Sequence, residues 1–434
     1  MDALTAAAIL FGAFFVLLFA GIPISVSLGI ASFATALVFL PWDDATYVIG
    51  QQMNVGVESF SLLAVPLFIF AGNIMNNGGI ARRLVDLALV LAGRVPGALA
   101  HTNVLGNMLF GSLSGSAVAS AAAIGSTLHG RQKEEGYDPA FGASVNIASA
   151  STGLLIPPTT AAIVYSAAAG DVSVSALFMA GYVPGILMGV VVMAIAYAFA
   201  RKHRYPKSGR ATPAEGLRAF LRALPGLLLI IIVVGGIVFG VFTATEGAGV
   251  AVLYTLTLSM VYRSMSWTAF KEVATRTVSA TGIVMFLIAA SSGMSWVMAY
   301  TGIPAAITES LLSVADAKAV ILLLMVLVLL VVGTFMDITP AILIFTPIFL
   351  PIATEIGMDP VHFGIVLILA MCLGTMTPPV GSVLFVATGV SEVPVERVVP
   401  RLMPHFVGLI LLLLAVTFIP VLSLGLPGMM GLLE

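Results

Sequence analysis

Two segments rich in glycine and hydroxyl residues are placed to hold a small ion. Gly111-Ser112-Leu-Ser114-Gly115-Ser116 and Gly333-Thr334-Phe-Met-Asp337-Ile-Thr339-Pro340 sit inside apolar runs. Each has a double-proline companion, Gly153-Leu-Leu-Ile156-Pro157-Pro158-Thr159 and Gly374-Thr-Met-Thr377-Pro378-Pro379-Val380. A proline inside a helix removes a backbone donor and displaces the carbonyl four residues earlier. Pro157 and Pro158 should therefore free the carbonyls of Gly153 and Leu154, and Pro378 and Pro379 those of Gly374 and Thr375. Open carbonyls at membrane depth must meet protein, water or an ion. A hard cation such as Na⁺ suits neutral oxygen ligands. Two cages are expected: Gly111, Ser114, Gly153, Ile156 and Pro158 in one, Gly333, Gly374, Thr377 and Val380 in the other, several through backbone oxygen.

Helices restarting near Thr159, Thr160 and Ser382 would aim positive dipole ends at the same region. Neither motif contains Lys or Arg, so dipoles and bound cations together would balance a small organic anion. Ser116, Asn146, Thr159, Asp337 and Ser382 are the candidate substrate residues. Asp337 is the one charged residue within the motifs, able to touch the ion, tune the cage or cap a helix.

The elements that position these residues follow from composition. Hydrophobic residues make up 60% of the 434 and charged residues 9%, with a mean hydropathy of +1.12. Soluble domains carry about 25% charged residues, so an all-α polytopic membrane protein is expected, with nucleic-acid binding excluded. Spans of about 20 apolar residues allow roughly a dozen crossings or hairpins. Cys372 is the only cysteine, which excludes disulfide frameworks and cysteine-based metal sites. The apolar run Ala3 to Leu40, broken at Gly21-Ile-Pro23, reads as two retained spans rather than a signal peptide.

All Lys and Arg except Lys318 fall in the clusters 82–94, 131–133, 201–222, 263–276 and 397–401, which the positive-inside rule makes cytoplasmic. The segments 42–58, 170–175, 243–247, 301–318 and 354–360 should be outside loops. Spans are expected near 4–20, 22–40, 60–78, 140–168, 176–200, 223–242, 246–262, 278–300, 362–388 and 403–425. The remaining stretches 97–128 and 319–353 each begin and end on one side, and so are hairpins.

The chain also reads itself twice. Pro157-Pro158 returns as Pro378-Pro379, and Gly136-Tyr-Asp-Pro139 as Gly357-Met-Asp-Pro360, both at an offset of 221. Basic loop 131–138 aligns with loop 354–359, which has no basic residue; loop 170–175 aligns with 391–401, which holds Arg397 and Arg401. The repeats are therefore inverted, the arrangement of many secondary transporters. Expected units are N-terminal scaffold helices 1–78, transport repeat one 79–175, scaffold helices and linker 176–277, transport repeat two 278–402 and a C-terminal scaffold helix 403–434.

Asn73, Asn76, Asn77, Asn103, Asn107 and Asn146 suit interhelical hydrogen bonding. Glu246 suits a helix N-terminus, and Trp42 and Trp267 an interfacial belt. His101, His129, His203, His362 and His405 lie near helix ends, so no proton relay is suggested. Other readings are a channel, a stand-alone Na⁺/carboxylate symporter, and a membrane hydrolase with Ser114 or Ser116 as nucleophile. The hydrolase lacks a histidine at membrane depth to serve as base.

Phe110-Gly-Ser-Leu-Ser-Gly-Ser-Ala-Val-Ala, Gly136-Tyr-Asp-Pro, Ser151-Thr-Gly-Leu-Leu-Ile-Pro-Pro-Thr, Gly333-Thr-Phe-Met-Asp and Gly374-Thr-Met-Thr-Pro-Pro-Val-Gly resemble the large membrane subunit of tripartite ATP-independent periplasmic (TRAP) transporters, the DctM-like family. The resemblance spans essentially the whole chain. It implies the ion-transporter-superfamily fold, a bacterial inner-membrane location and Na⁺-driven import of a dicarboxylate, keto acid or sialic acid by an elevator motion. It also implies a periplasmic substrate-binding protein and a small four-helix membrane subunit, the latter as a separate chain.

Overall fold

The computed structural model describes residues 3–77, 80–170, 172–209, 211–314, 318–378 and 380–433, and every regular element among them is helical. The first half runs α1 (Ala3–Phe19), α2 (Ile24–Phe39), α3 (Trp42–Val57), α4 (Ala64–Asn77), α5 (Ile80–Ala92), α6 (Ala98–Ser114), α7 (Ala117–Glu134), α8 (Pro139–Ala150), α9 (Thr160–Ala169) and α10 (Val174–His203). The second runs α11 (Pro213–Val238), α12 (Ala244–Val261), α13 (Trp267–Thr301), α14 (Ile303–Val314), α15 (Lys318–Gly333), α16 (Ile338–Glu355), α17 (Pro360–Gly374), α18 (Ser382–Ser391), α19 (Val395–Phe418) and α20 (Val421–Met429).

The duplication reaches further than the paired motifs. The offset of the double prolines also lays α2 on α12, α5 on α14, α6 on α15, α7 on α16, α8 on α17, α9 on α18 and α10 on α19. The counterpart of α3 and α4 is the single helix α13. Where α13 runs unbroken for 35 residues, α3 and the segment 60–76 meet at 61°. Six described helices, α10 to α13, α16 and α19, are long and apolar enough to cross a membrane, and the bent pair makes a seventh if it counts as one span.

Both hairpins and both broken helices form where expected: α6/α7 and α15/α16 are the hairpins, α8/α9 and α17/α18 the interrupted rods. The Gly-x-Asp-Pro motif starts a helix in each repeat. Asp138 Oδ1 accepts from the Ala140 amide at 3.1 Å, Asp359 Oδ1 accepts from Val361 and His362 at 2.7 and 3.2 Å, and the following proline occupies the first helical turn, where no donor is needed. Asp138 also pairs with Arg401 Nε at 3.0 Å, while its amide donates to the Tyr205 hydroxyl at 3.0 Å. Beside it, burial pushes the Tyr137 phenol up to about 12, against the opposing bond from the Leu99 amide. Glu246 does close a capping box with Thr243, as Glu215 does with Thr212.

Three expected loops are helices. Segment 42–58 is α3, whose acidic first turn and polar face lowered its apolar count while Ala45 and Ile49 pack against Val297 of α13. Segment 82–94 belongs mostly to α5, which buries Ile80, Leu84, Val85, Leu87 and Ala88 and lays the Arg83 guanidinium 3.5 Å from the Tyr262 ring centre. Segment 301–318 is largely α14. In each case, charges on one face of an amphipathic helix resemble a loop when hydropathy is averaged along the chain.

Two stretches expected as scaffold pack elsewhere. Helices α1 to α4 pack with α11 to α13, but α10 and α19 pack against α6, α8 and α17. The stretches 176–203 and 403–429, expected as scaffold, thus pack against the hairpins and broken helices.

Candidate functional site

The first hairpin turns on two residues. Gly115, at φ +60°, takes the left-handed conformation that closes α6, its amide donating to the Gly111 carbonyl at 2.8 Å. Ser116 is extended and accepts from the Ala119 amide at 3.3 Å, starting α7. In the second hairpin α15 stops at Gly333 and α16 starts after Asp337, which makes no side-chain cap hydrogen bond. Asp337 is exposed at the helix start.

In the first broken helix, α8 tightens into a 3₁₀ turn, Ser151–Leu154, and stops at Pro157-Pro158. The amides of Leu155 and Ile156 both donate to Thr152, at 3.1 and 2.9 Å, and among the described residues no turn or cap bond reaches the carbonyls of Gly153 or Leu154. The second break differs from expectation. Gly374 accepts from the Thr377 amide at 2.9 Å and Thr375 from the Val383 amide at 3.1 Å. At Gly374 the physical reason is one residue of register: Ile156 reaches back four residues, whereas Thr377, its counterpart, reaches back three; at Thr375 the partner is the amide of Val383, in the first turn of the restarting α18. Pro379, expected to help free these carbonyls, lies outside the described residues, as does the side chain of Asn77.

Each hairpin crosses its broken helix at a pair of glycines. A Cβ built on Gly111 would stand 2.5 Å from the Cα of Gly153, and one on Gly333 would stand 3.0 Å from the Cα of Gly374. Backbone therefore lies on backbone at both crossings, near the carbonyl ends of α6, of the Ser151–Leu154 turn, of α15 and of α17. Ser114 belongs to the first crossing, its hydroxyl 3.5 Å from the Gly111 carbonyl and 3.4 Å from that of Ser116. The Pro158 carbonyl faces the hairpin at Gly115, while Ile156 is buried against Gly185 of α10. At the second crossing, Thr377 turns its hydroxyl onto the Leu373 carbonyl at 2.7 Å, and the carbonyls of Thr375 and Thr377 converge on Gly381. Val380 is exposed beside it. The two broken helices touch through the hydroxyls of Ser151 and Thr375, 3.3 Å apart.

The amide ends face elsewhere. A cavity of about 410 Å³ is lined by Ser116 to Ala119 at the start of α7, Thr160 of α9, Asp337 to Thr339 at the start of α16, and Ser382 and Val383 of α18. All four restarting helices thus open onto one space. Ser114, Leu154 and Thr375 complete its hairpin side; Ile69, Gly72, Asn73, Arg276 and Ala280 close it from α4 and α13. The starts of α7 and α9 are capped by Ser116 and Thr159, whereas those of α16 and α18 make no side-chain cap hydrogen bond. Among the described residues no cluster of His, Cys, Asp or Glu could hold a metal, and the oxygens at the crossings are neutral.

Of the expected substrate residues, Ser116, Asp337 and Ser382 line the cavity, and Thr159 caps a helix beside it. Asn146 does not reach it. Its amide donates to Ala121 at 2.9 Å and its oxygen accepts from Asn107 at 3.0 Å, within a buried cluster that includes Asn103, Ser120 and Ser149. Asn73, expected to bond between helices, donates to Thr277 of α13 at 3.0 Å and also lines the cavity; Arg276 is the lining residue that sequence reasoning missed. The basic cluster 263–276 reads as a cytoplasmic loop before a span, whereas Arg276 lies within the unbroken α13, which carries it to the cavity.

Comparisons with known proteins agree with the described fold. Residues 11–422 match the family described as "Tripartite ATP-independent periplasmic transporter, DctM component". The chain is similar to "Uncharacterized protein YgiK" of Salmonella typhimurium, 50% identical over 96% of both chains. It is 39% identical to the "C4-dicarboxylate TRAP transporter large permease protein DctM" of Pseudomonas aeruginosa, over 94% of this chain and 95% of that one. Among solved structures, the YdaH transporter of Alcanivorax borkumensis shares the fold with a TM-score of 0.63 at 15% identity, covering 86% of this chain and 88% of the other.

Proposed function

The chain belongs to the DctM component family of tripartite ATP-independent periplasmic transporters, and from that premise we propose that it couples the entry of Na⁺ to the import of a small organic acid by an elevator motion. As a family member it is a transport protein rather than an enzyme, and a multi-pass protein of the bacterial inner membrane. The stand-alone symporter is not carried forward, because the family is one component of a three-part system.

One observation carries the proposal: the helix ends are sorted by charge. Carbonyl ends, which favour cations, meet in pairs at Gly111/Gly153 and Gly333/Gly374, and amide ends, which favour anions, converge on the cavity. In this reading Na⁺ binds at two sites, one at each glycine crossing. The first uses the carbonyls near Gly111, Gly153, Ile156 and Pro158 with the Ser114 hydroxyl. The second uses carbonyl oxygens of Gly333, Gly374, Thr377 and Val380. The substrate carboxylate takes the uncapped amide ends of α16 and α18, with Ser116, Thr159 and Ser382 nearby. Binding both ions on the same body offsets the anion's charge, so body and cargo cross together as a nearly neutral unit.

The elevator body comprises α6 to α10 with α15 to α20, moving against α1 to α4 and α11 to α13. A periplasmic binding protein delivers the acid and a small membrane subunit braces the scaffold. The test is uptake of labelled succinate, as a probe acid, into proteoliposomes holding the assembled transporter. Uptake should require both an inward Na⁺ gradient and the binding protein. Equal uptake with choline replacing Na⁺ would overturn ion coupling.

A further inference from the structure

Arg276 and Asp337 are the two charged residues lining the cavity, and they belong to different bodies. Asp337 starts α16 in the hairpin, while Arg276 sits on α13 of the scaffold, at the end that carries the basic segments. The Arg276 guanidinium is held by one carboxylate: its Nη2 meets Glu272 Oε1, one helical turn away, at 2.5 Å. The neighbouring residue, Thr277, accepts from Asn73 Nδ2 at 3.0 Å, fixing this face of α13 against α4 beside the cavity. The Glu272 and Arg276 side chains are 60% and 67% exposed. An exposed pair of this kind is weak, and a guanidinium has five donors, most of them left over by a single contact.

We infer that Arg276 is a receiving post for the substrate's carboxylate on the cytoplasmic side of the cavity, where the acid displaces Glu272. This inference rests on the transport reading above. The exchange conserves charge, since one carboxylate replaces another on the same guanidinium, and the planar fork suits a bidentate partner. Because Arg276 does not travel with the hairpins, it can meet the anion only when the cavity stands beside this end of α13. It therefore acts on the release step and contributes nothing to loading from the opposite side. Glu272 sets how strongly the post holds: while it occupies Arg276, the acid is not retained there, and removing it makes the post bind more tightly.

The test uses the assembled transporter in proteoliposomes, with its small subunit and binding protein, and succinate as the probe. Initial Na⁺-driven uptake is measured as internal succinate is raised. In the unaltered protein internal succinate inhibits by rebinding from the cytoplasmic side. Arg276→Gln should raise the half-inhibiting internal concentration about five- to tenfold, the range of one partly solvated charge-assisted contact. Glu272→Gln should shift it in the opposite direction. Arg276→Lys should restore part of the effect, and the Na⁺ concentration for half-activation should be unchanged in all three. If both Gln variants import normally with Na⁺ but keep the original half-inhibition, the post is overturned. If the unaltered protein shows no Na⁺-driven uptake, the transport reading fails and takes the post with it. The two failures are thus separate results.

Discussion

Gly374 lies against Gly333 so closely that a methyl group on Gly374 would overlap the Cα, carbonyl carbon and carbonyl oxygen of Gly333. Every atom it would meet is main chain, so no rotamer change relieves the clash. Gly374→Ala should separate hairpin from broken helix, destabilise by about 1–3 kcal/mol in the manner of an overpacked core, and raise the Na⁺ needed for half-maximal uptake. Gly282→Ala, where a Cβ meets nothing within 4 Å, is the control. Thermal unfolding and Na⁺ titration of both variants check this; equal behaviour would remove the crossing from the ion site.

The buried asparagine cluster exists in the first repeat only. In α6 and α15, where Gly111 matches Gly333 at an offset of 222, Asn103 and Asn107 correspond to Met325 and Leu329; Ser120, Asn146 and Ser149 correspond to Ala341, Leu367 and Ala370 at the offset of 221, and all five counterparts are buried. Asn107 Nδ2 lies within bonding distance of Asn103 Oδ1, Asn146 Oδ1 and Ser149 Oγ, at 2.8, 3.0 and 2.7 Å. Asn107→Leu alone should therefore destabilise by about 2–4 kcal/mol, because it strands several buried acceptors. Replacing all five residues by their second-repeat counterparts should recover most of that loss, a strongly non-additive result. Additive melting shifts would contradict it.

Asp337 starts α16 without a side-chain cap bond and faces the cavity. Asp337→Asn should raise the Na⁺ concentration for half-activation several-fold while lowering stability by less than about 1 kcal/mol, since no cap is lost. An unchanged Na⁺ titration with a clear loss of stability would assign Asp337 a purely local role.

Asp138 and Arg401 are bonded at 3.0 Å, but only Asp138 also caps a helix. Arg401→Gln should lower stability by less than about 1 kcal/mol, an effect that shrinks with salt. Asp138→Ala should cost about 1–2 kcal/mol with weaker salt dependence, as it removes a cap as well. Unfolding at low and high salt separates the two contributions.

The hairpins and breaks were legible because their determinants are local and appear twice: glycines, hydroxyls and prolines at fixed spacing. The close pairing of Gly111 with Gly153 was implied by the same signal. Helices α3, α5 and α14 were not legible as helices, because their inward apolar edges are narrow and their charges dominate a running average. The attachment of α10 and α19 to the hairpins depends on contacts far apart along the chain, which no span pattern encodes. The closed carbonyl of Gly374 turns on whether one amide reaches back three residues or four, a choice that composition leaves open, and that of Thr375 depends on how the start of α18 folds back onto it. Arg276 was visible as a residue but not as a wall of the cavity, since that required knowing that α13 does not break where α3 and α4 do.

A joint built from hydrogen atoms in place of side chains leaves no smaller building block to substitute. Elsewhere in the molecule a neighbour can shrink when a residue grows; at the two glycine crossings neither partner has anything to give up. Tolerance to drift should thus be lowest at four positions that contribute no side chain, and a survey of viable variants would find them emptier than any serine or aspartate nearby.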